Sequence, residues 1–233
     1  MAVTARSGRK VGIRLEVNPR ARRLILRIDE KNREAVAVAP RQRDLAAAAA
    51  FAAERADWIA ARLAQLPDTR PFEPGALIPL RGEDCVLSLD GPGRVARLVA
   101  ADDGTLTLSA PGAEETFGAR VTRYLKKAAT SDLGDAVERH TEALGVSAKR
   151  ISVKDTRSRW GSCTSDGRLS FSWRLVCAPP EILDYVAAHE CAHLLEMNHS
   201  DRFWAHVSRV CPDWHHHRKW LRKHGQALHA VGE

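Results

Sequence analysis

"HECAHLLEMNHSDRFW", residues 189–204, holds three histidines and a glutamate at spacings that restrict the fold severely. On an α-helix, residues four apart share one face about one turn along, so His189 and His193 can aim their imidazoles at a common point. His199 cannot join them if the helix continues, because it would sit about 15 Å further along the axis than His189 and roughly 80° round it. The segment therefore predicts a helix that stops after His193 and a chain that folds back. Asn198 tolerates the left-handed conformation that ends many helices, and Ser200 can cap a new helix over "DRFWAHVSRV". With His199 in that elbow, His189, His193 and His199 form a candidate three-nitrogen metal site. Zn2+ is the expected ion, at N–Zn distances of about 2.0–2.1 Å. Glu190, next to the first candidate ligand, is the candidate general base.

Other donors fit less well. Glu196 lies one turn past His193 and would have to reach back toward His189. His206 falls in the middle of the following helix, as a core or supporting histidine. The run His215-His216-His217 looks like a metal tract, but adjacent helical residues point in different directions, so it reads as an exposed helix start.

Three neutral imidazoles leave such an ion with its full charge and one open tetrahedral position, where water has its pKa lowered toward about 7. Glu190 would take the proton from that water and deliver it to a leaving amine. The reaction class is metal-assisted hydrolysis of an amide, most economically a peptide bond, with a peptide or protein as substrate. Just upstream, "GRLSFSWRLV" (167–176) reads as a strand whose exposed edge could take up substrate as an added strand. Arg159, Trp160 and Arg174 flank this region as candidate substrate contacts, and His206, Tyr185 and Arg174 are candidates for stabilising the oxyanion.

Further out, "VGIRLEV", "RLILRI" and "EAVAVA" read as antiparallel strands with one wet face, the last following the turn-like "DEKNR" (29–33). One alanine-rich helix runs from about Asp44 to Leu66, stopped by Pro67. "RPFEPGALIPLRGED" (70–84), rich in Pro and Gly, is the clearest internal break, and short strands follow it. "EETFGARVTRYLKKAATSDLGDAVERHTEAL" is one long amphipathic helix, or two with a break near Asp132–Gly134. Pro179-Pro180-Glu181 opens the helix that carries the first two histidines, with proline where its missing N–H costs little. Strands and helices in runs rather than strict alternation argue for an α+β fold. We expect an N-terminal β-rich basic region with one long helix (1–112) and a second domain (113–233) holding the heavier core, since five of the six tryptophans lie between 160 and 220. No repeat at a fixed period is evident.

Net charge is +7 over 233 residues, and residues 1–44 carry all of that excess, with twelve Lys or Arg against five Asp or Glu. This points either to arginine-rich outer strand faces or to a nucleic-acid surface in the N-terminal region. The five cysteines are scattered, with no C-x-x-C pair, which fits reduced thiols and a cytoplasmic protein. No stretch is long and apolar enough for a membrane span, so no membrane partner is expected.

Taken together, "SRWGSC" (158–163), "WRLVCAPPEILDYVAAHECAHLLEMNHSDRFW" (173–204) and "CPDWHHHRKWLRKHG" (211–225) closely resemble the YgjP-like metallopeptidase family, a zincin group related to the SprT-like and WLM proteases. The likeness extends from about residue 20 to 225. It implies a β-rich N-terminal portion and a zincin-like core, with His189, His193 and His199 as zinc ligands and Glu190 as catalytic base. The histidine spacing is also that of metzincins, but those have Gly where this chain has Glu196, and Met197 and Met1 offer no downstream methionine turn. The resemblance makes a zinc-dependent peptidase the leading expectation. A nucleic-acid-associated SprT-like protease and a non-catalytic zinc-stabilised interaction module are the alternatives.

Overall fold

A computed structural model of the chain describes residues 1–29, 32–156 and 158–232. The fold is α+β, as expected, and divides into two compact units, Met1–Asp68 and Thr69–Glu233.

In the first unit β1 (Ala2–Thr4), β2 (Lys10–Val17), β3 (Ile25–Asp29) and β4 (Glu34–Ala39) form one sheet in the order β1-β2-β4-β3. β3 and β4 pair antiparallel as expected, but β4 slots in beside β2 in parallel, with Leu15 opposite Ala37. Of the turn expected over 29–33, residues 30 and 31 lie outside the described residues. Instead of one helix there are two, α1 (Leu45–Ala53) and α2 (Ala56–Ala64). At the break the Arg55 guanidinium donates to the carbonyl of Phe51 at 3.0 Å, a side-chain cap on the carbonyl end of α1. Alanines 35, 37 and 39 on the sheet and 48, 52, 56 and 60 on the helices share one core with Ile13, Ile59 and Leu63.

β4 is buried along nearly its whole length, so the expected wet face is absent from its centre. Val36 is flanked in register by Arg14 and Arg27, whose long stems suit the covering of apolar surface. Their charged ends stay in the sheet: Arg14 pairs with Glu34 and Asp29 at 2.8 Å each, and Arg27 with Glu16 at 3.3 Å.

The second unit starts with β5 (Leu77–Leu80), β6 (Glu83–Ser88), β7 (Arg97–Ala100) and β8 (Leu106–Ser109), in the order β5-β6-β8-β7. Ile78, Leu80, Leu87 and Leu108 join the same buried cluster as α3 (Phe117–Leu144). That shared core is why these strands group with the C-terminal residues, and why the division falls beside the Pro/Gly-rich stretch rather than at 112/113. α3 is one unbroken helix, and it buries Phe117, Val121, Leu125, Ala129, Leu133 and Val137 in a stripe of four-residue steps. It ends at Gly145, whose φ of 71° is left-handed; Val146 N–H donates to Thr141 O and Gly145 N–H to Glu142 O, a Schellman pattern.

A third sheet follows: β9 (Arg150–Lys154), β10 (Gly161–Cys163) and β11 (Arg168–Ser172), in the order β10-β11-β9. A 3₁₀ segment, Trp173–Cys177, leads into α4 (Pro180–Ala192), then α5 (Asp201–Val210) and α6 (Trp214–His229). Phe171, Trp173, Leu175, Val186, Phe203 and Val207 complete the core. Among the described residues no helix is long and apolar enough to cross a membrane.

Candidate metal centre

α4 opens with Pro180 in its first turn and stops where the sequence requires. Its last helical residue is Ala192; His193 follows with helical angles, and the N–H groups of Leu195 and Glu196 both return to Ala192 O. The reversal is therefore tighter and earlier than a stop at Asn198. Arg33 and Arg81 are the only described non-glycine residues with positive φ, so Asn198 is not left-handed. Its side chain instead accepts a hydrogen bond from Ser200 N at 2.9 Å, and Ser200 Oγ accepts from Phe203 N at 3.4 Å, capping α5. Those two bonds hold His199 in the elbow.

His199 Nε2 and His189 Nε2 stand 3.1 Å apart, and one nitrogen from each of His189, His193 and His199 lies within 4.8 Å of the other two. Phe203, fully buried, backs all three rings, with centroids 4.8, 4.4 and 4.7 Å from those of His189, His193 and His199. His193 Nδ1 faces the carbonyl of Glu196 at 3.0 Å. A carbonyl only accepts, so Nδ1 carries the hydrogen and Nε2 is left with a free lone pair. Burial, reinforced by the neighbouring imidazoles, pushes His189 down to about 3. His193 is also lowered, mainly by burial. Both rings are thus neutral at pH 7, the state in which they can donate to a cation.

Such a donor set fits a zinc ion. In a tetrahedron with bonds of 2.0–2.1 Å, ligand nitrogens are about 3.3 Å apart, close to the His189–His199 separation. Exposure rises from buried His193 to exposed His199, so the cluster opens to solvent at the elbow. Among the described residues no fourth His, Cys, Asp or Glu joins the three, leaving a position free, whereas structural zinc sites fill all four.

Glu190 is buried on α4, and burial pushes its carboxyl up to about 7 against the pull of Arg159. Above it lies Gly161 of β10. A Cβ there would come within 2.5 Å of Glu190 Oε1, so only glycine lets the strand pass so close. Sequence reading found "SRWGSC" but not this role, because nothing local to Gly161 indicates a glutamate 29 positions away. Cys163, on the same strand, is pushed up to about 11 by burial and by the nearby carboxylates, which keeps it a thiol.

The remaining candidates separate clearly. Tyr185 lies beside the cluster, its ring 6.0 Å from His189, and burial holds its hydroxyl protonated with a pKa of about 12. Arg174 does not face the site: it is buried, stacked 4.4 Å from Trp173, and bonded to Asp155 and to Val231 O. Trp160 stacks on His229 at 4.2 Å, and Glu196, His206 and His215–His217 stay outside the donor group. His215 and His216 are exposed, while half-buried His217 turns toward Tyr185 and Cys211. Both edges of β11 are already paired, so "GRLSFSWRLV" offers no free edge; the outer strand beside α4 is β10.

The family model described as YgjP-like, metallopeptidase domain, matches residues 22–224. The chain belongs to that family. YgjP-like proteins are metallopeptidases by this description, which agrees with a histidine cluster able to hold an ion. No curated protein matches the chain. Among solved structures, the metallopeptidase zymogen of Pyrococcus abyssi abylysin is similar over 39% of this chain and 93% of its own, with 20% identity and a TM-score of 0.36.

Proposed function

We propose that this chain is a zinc-dependent peptidase in which His189, His193 and His199 hold the ion and Glu190 is general base and acid. The observation that carries the reading is the convergence of three imidazoles, from the end of α4 and the elbow that follows it, in a chain of a metallopeptidase family. Zinc held by three nitrogens supplies Lewis acidity, polarising the scissile carbonyl and making water a stronger acid.

This chain's residues do the rest. Glu190, from the position next to His189, accepts a proton from the attacking water as the oxygen bonds to the carbonyl carbon. It then gives that proton to the amine as the C–N bond breaks, so each turnover returns it to its starting state. Phe203 and the Glu196 carbonyl keep the imidazoles fixed while this happens. Among the described residues β10 pairs with β11 on one side only, and its other edge suits a peptide bound as an added strand, with backbone hydrogen bonds for affinity.

Metal content and hydrolysis measured side by side test the proposal. The wild type should hold one zinc per chain and cleave members of a broad peptide library. His199→Ala should lose most of the metal. Glu190→Gln should keep the metal but lose about 10²–10⁴ in rate. Equal zinc in wild type and His199→Ala, or equal hydrolysis in wild type and Glu190→Gln, would sink it.

A further inference from the structure

Away from the histidines, α3 and the loop before β7 line a half-open hollow of about 500 Å³, the size of a small-molecule site. Its floor is one face of α3, where Arg120, Arg123, Tyr124 and Lys127 recur at helical spacing. Arg94 and Val95 form the opposite wall. Arg81 also reaches the rim, but its charge is spent on a two-pronged pair with Asp132 at 2.8 and 2.9 Å.

The remaining cations are uncompensated. No Asp or Glu lines the cavity, and Arg94, Arg123 and Lys127 have no carboxylate within ion-pair distance among the described residues. Arg120 is held rigidly, but by neutral acceptors: its Nε and Nη2 donate to Ala110 O at 3.2 and 3.1 Å, and Nη1 to Thr116 Oγ1. Four positive charges around one cavity repel one another, and an anion from outside would relieve that repulsion.

We propose that this cavity binds a nucleoside polyphosphate, its phosphates lying along Arg120, Arg123, Lys127 and Arg94 and its base against Tyr124 and Val95. A single phosphomonoester brings only about −1.5 to −2 of charge, short of four cations, so a chain of phosphates is the better match. Guanidinium forks suit phosphate oxygens, and the ring with its apolar neighbour gives a base a face to lie on. A nucleic-acid track would call for successive aromatic platforms, whereas this half-open hollow has a single aromatic ring in its lining.

Calorimetric titration of the full chain with ATP, inorganic triphosphate and adenosine tests the site. ATP and triphosphate should bind at micromolar concentration, and adenosine should not bind below millimolar. The double variant Arg123→Glu/Lys127→Glu, altered at exposed positions and checked for folding by circular dichroism, should weaken ATP at least tenfold. The matched charge change Lys219→Glu/Arg222→Glu on α6 should leave it unaltered. Absence of ATP binding at millimolar concentration, or equal weakening by both double variants, overturns the proposal. So does a short single-stranded oligonucleotide that displaces ATP at far lower concentration, since that would make the cavity part of a nucleic-acid surface.

Discussion

The two four-stranded sheets, one in each unit, share a wiring diagram. In both, the first strand pairs antiparallel with the second, the second runs parallel to the fourth, and the third returns antiparallel to the fourth. The site sheet repeats the last two steps, with β9 parallel to β11 and β10 antiparallel to it, and in each case a helix follows the last strand. What differs is the filling. Where Leu15, Ala37 and Leu26 lie abreast in the first sheet, Leu87, Leu108 and Leu98 do so in the second. Alanine lets a helix lie close but buries little area; these leucines and Phe117 of α3 bury far more. One topology therefore yields a light unit carrying arginines on its outer face and a heavy one rigid enough to hold three imidazoles in register.

The largest effect on that contrast should come from the strand that differs most from its counterparts. Gly161→Ala places a methyl where Glu190 Oε1 now lies, at 2.5 Å, and β10 is tied to β11 by its ladder, so the carboxylate must move. Peptide hydrolysis should fall by about 10²-fold, the scale of a displaced catalytic group. Zinc content and melting temperature should stay near wild type, because the imidazoles rest on Phe203 rather than on β10. An alanine variant with full activity would mean that the close approach of strand and glutamate is incidental.

Next in size is the exchange of fillings. Leu108→Ala, fully buried, should cost about 2–5 kcal/mol of unfolding free energy, while the reverse change, Ala37→Leu, overpacks the light sheet and should cost about 1–3 kcal/mol. Urea unfolding of the full chain reads both. Should the alanine layer accept leucine at no cost, the first unit is loosely packed and the contrast in filling is weaker than it looks.

Sequence periodicity found these strands but could not orient them. Alternation fixes which face a residue takes, and "EAVAVA" alternates equally well beside β2 in either direction. It also predicted a wet face that β4 lacks, because a valine flanked by two arginine stems is buried from the side solvent should reach. Near the site the local signals were sufficient: two histidines four apart, a stop before His199, and the Ser200 cap all act within a few residues. The reversal nevertheless came earlier than Asn198 suggested, since the Ala192 carbonyl already accepts both closing bonds. α3 ran through Asp132–Gly134 because Leu133 and Val137 keep its buried stripe intact on either side of Gly134. Contacts between distant segments, Gly161 on Glu190 above all, left no trace in either neighbourhood.

The smallest effect separates the two units by one buried partner, His140, in the ion pairs of the second. In the first, Arg14 and both its carboxylates are partly exposed, with no buried partner among them, so salt screens them. In the second, Asp184 of α4 is half-buried against α3, with Arg139 Nη2 at 2.9 Å and His140 Nε2 at 3.0 Å. Burial alone would raise its carboxyl, but His140 and Arg139 outweigh that and hold it below the ordinary range of an aspartate. A depressed pKa in the folded state stabilises the fold above the unfolded value, and that stability is lost as pH falls through the folded one. Asp184→Asn should therefore lower stability by about 1 kcal/mol at pH 6, and the gap from wild type should close only as the pH drops below about 4. Because the pair joins the site helix to α3, the wild-type gap should also survive in 0.5 M salt, where the Arg14 cluster is screened. A gap that vanishes in salt, or one that persists unchanged to pH 2, would place Asp184 with the surface pairs and remove this difference between the units.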